Sequence, residues 1–179
     1  DLKALYDYIV EKTMAREAFS PIKNQRLRLD VYSEMEKFRK EFLEADTDKK
    51  LFHALTKVSN ARKDRHLSVE VVPGGLSIDT TVTKAAIQLR PDFSNPDNIF
   101  LFVSDTGKNN KSYLGCRVLA VNDRTDFAEY LEPFVRYSTT NKFWWELANM
   151  ISIRDHLLPS EFYRKTLDLT LECHKGTQL

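Results

Sequence analysis

The residues best suited to chemistry lie at one corner of the chain, Ala61-Arg62-Lys63-Asp64-Arg65-His66-Leu67-Ser68-Val69-Glu70-Val71. A helical pattern ends there and an alternating pattern begins. Arg62 to Arg65 are four charged residues in a row, and His66 follows at the mouth of the expected strand. Leu67, Val69 and Val71 then alternate with Ser68 and Glu70. An imidazole titrates near neutral pH, so a histidine that is both held and reachable suits a general base. Asp64, two residues earlier, would fall on the same side of an extended chain and could orient the ring. Arg65 beside it favours the neutral imidazole that accepts a proton. The same spacing also describes a partly exposed histidine at a charged turn. Spacing alone favours that plainer reading, because isolated histidines rarely act.

Other chemistry is thinly represented. Cys116 and Cys173 are the two cysteines, each in a strand-like run. Two buried free thiols are the default expectation, with a disulfide only if the strands are neighbours. No CxxC or HExxH motif is present to suggest zinc, and no cofactor is expected. Gly74-Gly75 is too short for a phosphate-binding loop and lacks the following Lys-Ser/Thr. Ser104-Asp105-Thr106-Gly107 follows a strand but leads into a polar loop, so it does not read as a nucleophile elbow. Asn110-Lys111-Ser112 is a glycosylation triplet of a kind that arises often by chance.

Composition narrows the classes. The chain has 179 residues, 42% hydrophobic and 30% charged, as in ordinary globular proteins. Its 27 basic and 26 acidic residues give a net charge of +1. That leaves no basic excess to grip phosphate backbones, so no nucleic acid partner is expected. No apolar run approaches the roughly 18 residues that span a membrane. The chain opens Asp1-Leu2-Lys3, without an initiator Met or a signal peptide, and reads as a piece of something longer.

The elements that must position these residues can be read in order. Residues 2–14 form a helix with Leu2, Leu5, Tyr6, Ile9 and Val10 on one face. Ser20-Pro21 breaks it. A longer helix is expected over 24–45, striped by Val31, Met35, Phe38 and Phe42. Asp46-Thr47-Asp48 caps a third helix over 48–62, with Leu51, Leu55 and Val58 inward, Phe52 beside them and His53 as a packing residue. Beyond His66 the period changes from 3.6 to 2. A strand over 66–72 ends at Pro73-Gly74-Gly75, and 76–84 is a loop or strand. Further strands are expected over 85–90, 99–103 and 115–123, the last ending in an Asn122-Asp123 turn. A helix from Thr125-Asp126 buries Phe127, Tyr130, Leu131 and Phe134 and kinks or ends near Pro133. Thr139-Thr140-Asn141 caps another over 141–154, where Trp144 and Trp145 point apart. A last strand runs through Leu167, Leu169, Leu171 and Cys173, and its return arm after His174-Lys175-Gly176 stops almost at once.

In this order the chain resembles the front half of an S41-family serine peptidase, the group of carboxyl-terminal-processing, tricorn-core and chlamydial-activity-factor-like proteases. The resemblance rests on the helical bundle, the Asp64-Arg65-His66 corner, the Gly115-to-Asp123 strand and turn, and the Leu167-to-Gly176 strand and turn. Cys116 and Asp123 depart from the family's Asp and Gly at those points, and the stretch 125–164 is longer than a minimal PDZ domain requires. The resemblance implies an α+β chain: an N-terminal helical bundle (1–65), a connecting strand and loop (66–84), and a PDZ-like β-rich domain with a helical insertion (85–179), ending before the catalytic core.

It also implies a function. The chain would be the substrate-recognition or regulatory portion of a secreted or periplasmic serine endopeptidase. Its partners would be a polypeptide substrate and the missing catalytic domain. In the His-Ser-Glu group of the family His66 would be the general base; in the Ser-Lys group the position is structural. The alternative is a free-standing PDZ-like interaction module without catalysis.

Overall fold

A computed structural model describes residues 1–16, 22, 25, 26, 28–64, 68–108, 111–154, 156–162 and 166–173. The chain is α+β and divides into two compact units, Asp1–Ile78 and Asp79–Leu179.

The first unit is helical. Its elements are α1 (Leu2–Arg16), α2 (Val31–Glu36), α3 (Arg39–Leu43) and α4 (Asp48–Asn60). Tyr6 and Val10 of α1 meet Val31, Met35, Phe42, Ala54, Val58 and Ala61 in one core. The Tyr6 hydroxyl donates to the Met35 carbonyl at 3.1 Å, which satisfies the one polar atom of a buried ring. Burial and the neighbouring Glu36 carboxylate both push that phenol well above its usual pKa. His53 is buried on α4 with its ring 6.1 Å from Phe52. Leu5, expected on the inner face, is instead exposed.

The expected helix over 24–45 is not continuous. Asp30 accepts from the Tyr32 amide at 3.1 Å and the Ser33 hydroxyl at 2.9 Å, so a new helix starts behind it. A short polar side chain that bonds the backbone locally ends one helix and begins the next. A turn at Lys37 and Phe38 then separates α2 from α3. The apolar stripe survives the break, because Val31, Met35 and Phe42 all remain buried. Within the expected capping turn Asp46-Thr47-Asp48 it is Thr47 that caps α4, accepting from the Lys50 amide.

The second unit is built on an antiparallel sheet in the order β2-β3-β4-β6: β2 (Gln88–Asp92), β3 (Phe100–Asp105), β4 (Arg117–Val121) and β6 (Leu169–Glu172). A separate pair joins β1 (Thr83–Lys84) to β5 (Ile153–Arg154). Two helices, α5 (Phe127–Leu131) and α6 (Thr140–Ser152), complete the unit. Leu89, Leu101, Val103 and Val118 share a core with Phe127, Leu131, Leu147 and Ile151. Each such side chain contributes about 1.5–3 kcal/mol by leaving water. Pro133 ends α5 by passing it into a 3-10 turn, Glu132–Phe134.

The default of two free thiols is overturned. Cys116 and Cys173 form a disulfide with Cα atoms 4.4 Å apart. They sit one position beyond the Arg117↔Glu172 pair of β4 and β6, so the strands are neighbours after all. A link across 57 residues removes on the order of 4 kcal/mol of chain entropy from the unfolded state.

Candidate functional site

His66, with Arg65 and Leu67, lies outside the described residues. The approach to it is well defined. After α4 the Arg62 side chain folds back, giving Nε to the Ser59 carbonyl at 3.0 Å and Nη2 to the Ser59 hydroxyl at 2.6 Å. The Lys63 amide closes on the Asn60 carbonyl at 2.9 Å with Lys63 at φ +51°, a left-handed helix stop on a residue other than glycine. Asp64 is half-buried immediately after this stop.

On the far side of the corner the described residues of the expected strand do not form one. Ser68 to Val72 pair with no strand, although burial alternates, with Val69 and Val71 half-buried between exposed neighbours. The following segment belongs to the helical unit and returns to the start of α4, where the Ser77 amide donates to Asp48 at 2.6 Å. Alternation therefore reported one half-buried side of the segment and not membership of a sheet.

Ser104, the nearest imitation of a nucleophile, lies inside β3, and its hydroxyl donates to the Gln88 carbonyl of β2 at 3.2 Å. Among the described residues no group of three or more His, Cys, Asp or Glu could hold a metal ion, and no helix is long and apolar enough to cross a membrane. Asn110 of the glycosylation triplet is outside the described residues.

A second candidate surface is the outer edge of β2, against which α6 packs. The Leu89 amide donates to Ser152 Oγ, at the end of α6, at 3.2 Å, so this amide faces away from β3. Two residues on, Pro91 points the same way and has no N–H to offer. The Ala85 amide bonds the Ser152 carbonyl at 2.8 Å. Within β2, the edge toward α6 thus presents no unoccupied amide donor. No family model, characterised protein or solved structure matches this chain.

The third feature is the turn that follows β4. Asn122 and Asp123 both have positive φ, +47° and +66°, and Val121 and Arg124 exchange both backbone bonds at 3.0 and 3.1 Å. These are the marks of a type I′ hairpin turn. Arg124 grips Asp126 at 2.7 Å and lies 3.8 Å over the Tyr130 ring, and the Tyr130 hydroxyl reaches Glu161. The Asp126 carboxyl is held below its usual range by the Arg124 guanidinium. Asn122 is buried and its side chain binds two separate segments. Oδ1 accepts from the Asp168 amide at 3.1 Å, and Nδ2 donates to the Glu161 carbonyl at 3.3 Å. The Asn-Asp pair was visible in sequence as a turn, but its role as a tie between distant segments was not.

Asp123→Gly should stabilise the protein by roughly 0.5–1 kcal/mol, because a left-handed Asp carries a Cβ cost that Gly does not. Urea unfolding followed by Trp fluorescence checks this. An unchanged or lower midpoint would mean that the greater entropy of an unfolded glycine cancels the gain.

Proposed function

We propose that this chain is the non-catalytic front portion of a serine endopeptidase of S41 type, with a helical unit followed by a PDZ-like unit. In this reading it governs access of polypeptide to a catalytic domain and supplies His66 as general base. The observation that carries the proposal is α6 packed against β2 at the edge of an antiparallel sheet. Peptide-adding modules lay an extended peptide along a strand edge through its main chain; here α6 lies at that edge and Ser152 takes the Leu89 amide, which suits a unit that gates rather than captures peptide. The helical unit preceding that sheet and the Asn122-Asp123 turn after β4 support the same order. The disulfide supports an oxidising compartment, in keeping with a secreted or periplasmic enzyme.

The β2 edge favours the regulatory half of this role over tight peptide capture. With the Leu89 amide on Ser152 and no amide at Pro91, an added strand would find acceptors but no donors along β2. Unstructured peptides with free C-termini should therefore bind no tighter than about 100 µM. Titration followed by the fluorescence of Trp144 and Trp145 tests this, and submicromolar binding would show that the edge is open.

The purified fragment should not hydrolyse unfolded casein, since cleavage needs an activated nucleophile and an oxyanion site. The full-length protein should do so. Casein hydrolysis by the fragment, abolished by Ser104→Ala, would overturn the assignment. A full-length protein without peptidase activity would leave an interaction module instead.

A further inference from the structure

The first unit ends at Ile78 and the second begins at Asp79, and the chain on each side of that step is fastened to its own unit. Before it, the Ser77 amide donates to Asp48, the first residue of α4, at 2.6 Å. After it, Thr83 and Lys84 form β1 and pair with Arg154 and Ile153 of β5, and the Ala85 amide donates to the Ser152 carbonyl at 2.8 Å. Each unit has an apolar core of its own, around Met35 and Phe42 in the first and around Leu101 and Leu147 in the second. Between the fastenings, Asp79, Thr80, Thr81 and Val82 are all exposed and lie in neither helix nor strand. The Thr81 amide and hydroxyl donate to the Asp79 carboxylate at 2.9 and 2.6 Å, a turn contained within three residues. Val82, 53% exposed, adds a large apolar side chain to an otherwise polar stretch. A second exposed run nearby, Val72 to Gly75, contains Pro73 and is closed by the Gly75 amide on the Val72 carbonyl at 3.0 Å.

We propose that Asp79–Val82 is a proteolytic site: an endopeptidase hydrolyses a bond in this stretch, and both units keep their fold after the cut. A bond inside a helix or a sheet is cut only when that element opens, so its cleavage is slowed by the cost of opening. An exposed stretch of small and polar residues carries no such cost. At Thr81–Val82 water adds across the peptide bond. Its hydroxyl goes to the Thr81 carbonyl carbon and its hydrogen to the Val82 nitrogen, and the new carboxyl then passes its proton to the new amine. The new ends stay close in sequence to Ser77 and to β1, and neither core loses a residue. The site rests on the order of the two units and not on the peptidase reading of the chain, so either can fail alone.

The test treats the native full chain with thermolysin, which cuts on the amino side of large apolar residues, and follows the cut positions in time by mass spectrometry. The Thr81–Val82 bond should be cut about tenfold faster, or more, than any bond in a described helix, strand or 3-10 turn. Proteinase K, with little sequence preference, should cut within the same four residues, because the fold and not the enzyme sets the place. Both tryptophans, Trp144 and Trp145, belong to the second unit, so their emission and its urea midpoint report that unit after the cut. Far-UV ellipticity reports the helices. Emission, midpoint and ellipticity should all match those of the uncut protein. Cleavage by either enzyme that is as fast at another described bond, or a change in emission, midpoint or ellipticity once Asp79–Val82 is cut, would overturn the proposal.

Discussion

His66→Ala in the full-length protein is expected to lower turnover by roughly 100-fold or more, the usual loss when a general base is removed. The expectation rests on the corner. Arg62 folded back onto Ser59 and the left-handed stop at Lys63 set where the chain leaves α4, three residues before His66. A general base has to be held in one orientation to meet a serine supplied from elsewhere. His53→Ala is the control. That residue is buried on α4 against Phe52, so its loss should lower stability but not the turnover of folded molecules. The wild type should also lose activity toward acid pH as the base becomes protonated, and the His66→Ala residual activity should lack that limb. Near-native turnover in His66→Ala would mean a Ser-Lys enzyme or no enzyme, with His66 reduced to a corner residue.

Asn122→Ala is expected to destabilise the protein by about 2–5 kcal/mol. The Asp168 amide and the Glu161 carbonyl each lose a partner in a part-buried bond on an exposed residue, so water can take the partner's place and each loss costs about 0.5–1.5 kcal/mol. Alanine at φ +47° adds on the order of 1–2 kcal/mol of steric cost. Two further variants separate the contributions. Asn122→Gly keeps the turn without strain but loses both bonds, so it should recover about 1 kcal/mol relative to alanine. Asn122→Asp keeps the acceptor for Asp168 and sets a carboxylate oxygen against the Glu161 carbonyl, so it should fall between alanine and wild type. Urea unfolding of the four proteins gives the order, since the midpoint falls with stability at constant slope. A loss below about 1 kcal/mol in Asn122→Ala would show that the two segments are held by the sheet and core alone.

Local signals in this chain were strong wherever one short segment decides its own structure. Thr47 and Thr139 were legible as caps because a cap is a side chain bonding an amide three residues on. The Asn122-Asp123 turn was legible because few residues tolerate positive φ. The run Ile99 to Val103 was legible as a central strand, because a short apolar run bounded by turn residues marks one, and β3 (Phe100–Asp105) is paired on both edges. The stripe through Val31, Met35 and Phe42 identified buried residues even across a break that it could not reveal, because periodicity records which face is covered and not whether the helix is continuous.

What the tertiary structure decided is everything that depends on which segments become neighbours. Cys116 and Cys173 lie 57 positions apart, and only the pairing of β4 with β6 makes them a disulfide. The alternation of Val69 and Val71 looks the same in a sheet as in a segment outside any sheet with one half-buried side. The chain's return to Asp48 chose the second. Ser152 carries no sequence mark of its role, because it covers the Leu89 amide only when α6 packs against β2. A residue's own propensities act over a few positions, whereas contacts of this kind are set by the joint burial of distant apolar faces, which no single segment encodes.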